Sequence, residues 1–218
     1  MNRKRLFVEN FLVYGLAGVI GKVIPFVMLP IITRLIPDTS IYGLSDILKV
    51  FISFGSAFAG LGVYDAMFRM FFEKENEEFQ KKVCLTALNI VLISSTVLSL
   101  FFIVFSKTIS TVFFATDKYF LWIMFCGFQI FFQSLDSIIS APTRMQNKRK
   151  VYLYLSVFTP VIGYAVSVPL IIFLDPLIGL MVGGLASVLL KLFVFWVLNK
   201  NWFLRAKFDR HLSSELLK

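Results

Sequence analysis

Six long apolar runs, separated by short clusters of charge and proline, constrain this chain more than anything else in its sequence. A helix needs about 20 mostly apolar residues to cross a hydrocarbon core about 30 Å thick. Runs of that kind cover about 11–33, 41–67, 83–105, 119–141, 151–174 and 177–198. The breakers fall between them. Pro37 and Asp38 follow the first run, and residues 69–82 carry Glu73, Lys74, Glu75, Glu77, Glu78, Lys81 and Lys82. Residues 142–150 carry Pro142, Arg144, Lys148, Arg149 and Lys150, and Asp175 and Pro176 make a short turn. The least sharp boundary is 106–118, where Val112, Phe113 and Phe114 blur the loop. The chain is 58% hydrophobic and 16% charged, whereas soluble domains have about 45–50% apolar and 25% charged residues. The expected fold is an all-α polytopic membrane protein. Its six transmembrane helices form one bundle over residues 1–199, and 200–218 form an amphipathic tail or linker.

Charge sets the orientation. Of the 22 Lys and Arg residues, 16 fall in the amino-terminal segment, the second and fourth loops and the carboxy-terminal tail. Only Arg34, Lys107 and Lys118 fall on the opposite side. Positive residues stay cytoplasmic, so both termini are expected inside. This pattern accounts for the net charge of +9 without nucleic acid as a partner. Arg3 to Arg5 resemble the basic start of a signal peptide. No small-residue cleavage site follows, however, and Lys22 interrupts the run, so a retained first helix is expected. After residue 199, Trp202, Leu204, Phe208, Leu212 and Leu216 recur among Arg205, Lys207, Asp209 and Arg210. That spacing suggests an amphipathic helix on the inner leaflet.

Little supports catalysis. Cys84 and Cys126 lie in apolar runs and read as small buried hydrophobes, and the single histidine, His211, lies in the tail. There is no P-loop, G-x-S-x-G, H-E-x-x-H or C-x-x-C motif. An enzyme, a metal site and a cofactor are therefore not expected.

Ionisable residues inside the spans are the sharpest pointers, because a charge at the bilayer centre costs about 2.5–3.5 kcal/mol on insertion scales. Lys22 falls near mid-membrane in the first run, just before Pro25 and Pro30, which bend the helix. A cation beside a kink suits a cavity for an anionic head group; a structural ion pair is the alternative. In the second run Asp46 and Lys49 are spaced i, i+3, and Ser53, Ser56 and Gly60 continue the stripe. A stripe of polar and small residues faces protein or water rather than lipid. Asp65 and Arg69, spaced i, i+4, suit an ion pair that locks the helix end or closes an inner gate. Gln129, Gln133, Asp136 and Ser140 form a second polar stripe, for helix packing or solute contact. Gly179, Gly183, Ser187 and Lys191 recur at steps of four in the sixth run, and the two glycines form a GxxxG packing face. Lys191 lies near enough to the inner end to snorkel.

One family is similar in the order and spacing of its motifs. Tyr14-Gly15 through Pro25, Leu29-Pro30, Thr33-Arg34-Leu35-Ile36-Pro37 and Tyr42-Gly43 resemble the opening of bacterial polysaccharide-biosynthesis membrane proteins. These are the lipid-linked oligosaccharide (O-unit) flippases of the multidrug/oligosaccharidyl-lipid/polysaccharide exporter superfamily. Gly60-Leu61-Gly62, Ala66-Met67-Phe68-Arg69, Arg144-Met145-Gln146-Asn147-Lys148 and Tyr152 continue the resemblance along nearly the whole chain. Family members have two six-helix bundles, and this sequence resembles the first, one lobe of a two-lobe transporter. Phe208 to Lys218 look like the linker to the second.

The resemblance implies flipping of a polyprenyl-diphosphate-linked oligosaccharide by alternating access, for surface polysaccharide such as lipopolysaccharide, in the bacterial inner membrane. Lys22 and Lys49 would attract the diphosphate, Arg34 would sit at the outer mouth, Asp46 would share the cavity, and Asp65 with Arg69 would form part of the inner closure. Implied partners are the lipid-linked substrate, the bilayer, and a second six-helix bundle or homodimer mate. The alternatives are a drug/cation antiporter of the same superfamily, coupled through an acid such as Asp46, Asp65 or Asp136, and a non-transporting membrane subunit.

Overall fold

The computed structural model describes residues 19, 23–204 and 210–216, with the backbone alone for Arg149, Arg210 and His211. Among the described residues there are helices and no strands. In chain order the helices are α1 (Val23–Leu35), α2 (Thr39–Gly60), α3 (Val63–Phe71), α4 (Glu77–Val104) and α5 (Ser106–Phe114). They continue with α6 (Phe120–Ile139), α7 (Ala141–Met145), α8 (Arg149–Phe173), α9 (Pro176–Phe203) and α10 (Arg210–Leu216). Five helical stretches are long and apolar enough to cross a membrane: α2, α4, α6 continued by α7, α8 and α9. α1 is a shorter apolar helix. The chain is thus an all-α, multi-pass membrane protein. The run expected from residue 11 is described from Val23 onward, apart from Val19, so Lys22 lies outside the described residues.

Two compact units divide the chain. One comprises residues 1–45 and 146–191, the other 46–145 and 192–218. In the first, Ile32, Ile36 and Ile171 form a buried cluster, with Met28, Leu35, Tyr42 and Tyr164 packed against it. Asp38 opens α2: its Oδ1 accepts the Ser40 backbone N–H at 2.9 Å, the usual way a carboxylate satisfies a free helix-start donor. The Ser40 side chain, together with that backbone N–H, holds its carboxyl below the ordinary carboxylate range. α8 and α9 approach through small residues. A Cβ on Gly179 would stand 2.8 Å from the Ser167 carbonyl oxygen and from the Ile171 nitrogen, and one on Gly183 would stand 2.7 Å from the Gly163 carbonyl oxygen. The Ser187 hydroxyl donates across this interface to the Thr159 carbonyl at 3.0 Å.

In the second unit α4 packs along α6. Gly127 lets them close, since a Cβ there would meet the Ser99 carbonyl oxygen at 2.9 Å. α2 lies on α6 through Gly55, whose added Cβ would reach Ile130 Cγ1 at 2.8 Å, and through the Leu48 carbonyl near Cys126.

Several apolar runs end differently from their sequence boundaries. The run 41–67 is two helices, because Leu61 (φ 48°) and Gly62 (φ 70°) are both left-handed and break the ladder. The charged stretch 69–82 is mostly helical. Asn76 caps α4 by accepting the Glu78 and Phe79 N–H groups at 2.9 and 3.3 Å, and Glu77–Lys81 and Glu78–Lys82 are i, i+4 ion pairs that support its first turns. Residues 106–114, expected as part of a loop, form α5. α9 runs on to Phe203, past the expected end of the sixth run at 198, so Trp202 continues that helix instead of opening a separate amphipathic one. The apolar side of α10 is also covered by protein: Leu212 and Leu216 are buried, and the helix packs on α4 and α3 rather than offering that side to the leaflet. Arg205, Lys207, Phe208 and Asp209 of the expected surface helix lie outside the described residues.

Candidate functional site

α2 has three distinct faces. At about 100° per residue, Leu48, Ile52, Gly55 and Ala59 share one side, and all four are buried. Ile47, Val50, Phe54 and Phe58 lie roughly 120° around the axis and are exposed; Phe58 is 70% exposed. A row of exposed Phe, Val and Ile on a membrane-length helix is a lipid-facing surface. The third face, again roughly 120° away, carries Asp46, Lys49, Ser53, Ser56 and Gly60. Asp46, Lys49 and Ser53 are exposed, and Ser56 and Gly60 are half-buried. This stripe is therefore neither packed in the unit nor merged with the apolar face.

The stripe is chemically ordered. Lys49 Nζ lies 3.1 Å from Asp46 Oδ1, with the two side chains 51% and 68% exposed. The Ser56 hydroxyl donates to the Ser53 carbonyl at 3.0 Å, which leaves its lone pairs open to an incoming donor. A cation, a carboxylate, two hydroxyls and a Cβ-free position thus line one side of about four helical turns. Such a surface can bind an anionic head group through Lys49 and hydroxyl-rich groups through the serines and Asp46.

The second polar stripe is arranged differently. On α6, Gln129, Asp136 and Ser140 are buried and Gln133 is half-buried. Among the described residues, no hydrogen-bond partner reaches Gln129 Oε1 or, on α4, Thr86 Oγ1.

Where α6 breaks, the polar groups are satisfied. The fully buried Asn199 donates through Nδ2 to the Ile139 carbonyl at 2.8 Å. Its Nδ2 and Oδ1 lie 2.8 and 3.1 Å from Thr143 Oγ1. The amide thus clamps the step from α6 to α7, where Pro142 can offer no N–H. Next to it, Arg144 donates to Tyr64 Oη at 3.3 Å with its guanidinium 5.5 Å from that ring, joining α7 to α3. Neither Asn199 nor Tyr64 stands out in the sequence. The usable signal for Asn199 is an amide directly at the end of an apolar run, before Trp202 resumes the pattern.

The other expected residues are more scattered. Arg34 is exposed in the last turn of α1, in the first unit. Asp65 and Arg69 are both exposed and are not among the ion pairs of the described residues. Asp65 occupies the first turn of α3 and Arg69 its last turn, so each charge complements one end of the helix dipole instead of the other side chain. Gly179 and Gly183 lie in the α8–α9 contact, and Lys191 is half-buried farther along α9. Among the described residues, no three His, Cys, Asp or Glu side chains group to hold a metal ion.

A family model described as polysaccharide biosynthesis protein matches residues 31–218. The chain belongs to this polysaccharide biosynthesis protein family. A search of curated proteins and of solved structures returns no match. The family match covers the whole polar face of α2, the Leu61-Gly62 break and the Arg144–Tyr64 link. Its family and its membrane helices together place the chain in polysaccharide synthesis at a membrane.

Proposed function

We propose that this polysaccharide biosynthesis protein takes part in flipping a polyprenyl-diphosphate-linked oligosaccharide across the bacterial inner membrane, with both termini cytoplasmic and without catalysing a reaction. The observation that carries this reading is the exposed polar face of α2 between a packed face and an apolar one. A charged stripe on a membrane helix persists only where it meets water, a partner or a ligand. A lipid-linked glycan supplies all the matching chemistry. Its diphosphate pairs with Lys49, its sugar hydroxyls reach Ser53, Ser56 and Asp46, and its tail stays beside the apolar face of Phe54 and Phe58. Alternating access then requires a facing bundle, from a second six-helix protein or a second copy of this chain.

The direct test is Lys49→Met in cells that depend on this chain for surface polysaccharide. Export should fall and lipid-linked intermediates should accumulate, with the protein still present in the membrane. Undiminished export would reject the reading. A second reading, a proton- or cation-coupled exporter, is favoured by Asp136, a carboxylate buried in a membrane-length helix. Drug resistance lost in Asp136→Asn, with glycan export intact, would select it.

A further inference from the structure

Lys49 has a partner within its own helix. Its ammonium lies 3.1 Å from Asp46 Oδ1 on the same face of α2. Among the described residues Lys49 is the only partner of Asp46. Neither side chain is locked by packing, since both are more than half exposed. An anion that approaches the stripe must therefore compete with a carboxylate held one helical turn away.

We infer that Asp46 is an internal competitor for Lys49, which a diphosphate head group displaces on binding and which regains the lysine on release. The inference rests on the reading of the α2 stripe given above and assigns a regulator to it. The neutral pair lets the helix carry a cation inside the membrane between cycles. A diphosphate carries more negative charge than one carboxylate and offers more acceptor oxygens, so it takes the ammonium from Asp46. The displaced carboxylate stays one helical turn away and competes to take the ammonium back. Binding is thereby kept weak enough for the head group to leave, the general requirement of any site that must both load and unload.

The test uses the full chain in nanodiscs, with geranylgeranyl diphosphate as the probe and geranylgeraniol as the uncharged control. Asp46→Asn should tighten diphosphate binding on the order of fivefold, the scale of one exposed ion pair, and leave the alcohol unaffected. Lys49→Met should weaken diphosphate binding, and in that background Asp46→Asn should add nothing. In cells, Asp46→Asn should bind more tightly yet export more slowly. If Lys49→Met weakens binding but Asp46→Asn does not tighten it, the competitor role is wrong while the substrate reading stands. A gain from Asp46→Asn that persists in the Lys49→Met background also overturns it, because a general field rather than competition would be at work. If Lys49→Met leaves binding unchanged, the substrate reading falls and the competitor role with it. Thermal midpoints of all variants should match the parent, because both side chains are exposed.

Discussion

α2 and α6 carry polar stripes of nearly the same spacing but opposite environments. On α2, Asp46, Lys49, Ser53, Ser56 and Gly60 recur at steps of three and four and remain exposed or half-buried. On α6, Gln129, Gln133, Asp136 and Ser140 recur at steps of four and three, and three of them are buried. The spacing alone says only that each stripe shares a helix face. What surrounds the helix decides the rest. α2 already meets α6 through Gly55 and Leu48, and α4 through the Ser94 hydroxyl on the Ala59 carbonyl, on a face the polar residues do not occupy. The polar face of α2 stays exposed or half-buried. The buried face of α6 is a structural element, with or without an added role for Asp136.

That contrast is most easily broken by substitution. The largest effect should come from the buried end of α6. Asn199→Leu leaves the Ile139 carbonyl and the Thr143 hydroxyl without their amide, and should lower stability by about 1–3 kcal/mol, read as a fall in thermal midpoint in detergent. Gly55→Val should cost a similar or slightly smaller amount, about 1–3 kcal/mol by overpacking, because the new side chain runs into Ile130. Gly60→Ala, on the open stripe of the same helix, should stay within about 0.5 kcal/mol, since nothing lies within 4 Å of the added Cβ. Equal losses at positions 55 and 60 would erase the distinction between the packed and open faces. The next effect is a gain. Leu61 is held at φ 48°, where a side chain costs roughly 1–2 kcal/mol. Leu61→Gly should therefore raise the midpoint by the equivalent of about 0.5–1 kcal/mol after the entropy cost of glycine. Smallest of all, Gln129→Met should be neutral or slightly stabilising, because Gln129 Oε1 has no partner to lose.

Much of this was legible in the residues. Apolar run length marked the membrane helices, and the i, i+3/i+4 pattern marked both stripes, since each depends on local periodicity. The break at Leu61-Gly62 was not legible, because a leucine in the left-handed region is rare and nothing in an otherwise apolar run warns of it. The charged segment 73–82 reads as a loop by composition, yet Asn76 and two i, i+4 pairs make its second half helical. Asp65 and Arg69 have the right spacing for an ion pair, but both side chains are exposed and they are not among the ion pairs of the described residues. The Asn199–Thr143 clamp joins residues 56 positions apart, and no local pattern could have paired them. The open and buried fates of the two stripes likewise depend on packing among distant helices.

The account stands or falls on whether the polar face of α2 meets water inside the membrane. Single cysteines at Ser53, Ser56, Phe54 and Phe58 can be labelled in intact membranes with a membrane-impermeant thiol reagent, against a low background because Cys84 and Cys126 are buried. Ser53→Cys and Ser56→Cys should react, and Phe54→Cys and Phe58→Cys should not. Reaction at 53 and 56 no faster than at 54 and 58 would mean that the stripe faces lipid, and the proposed glycan-lipid path along α2 would be wrong.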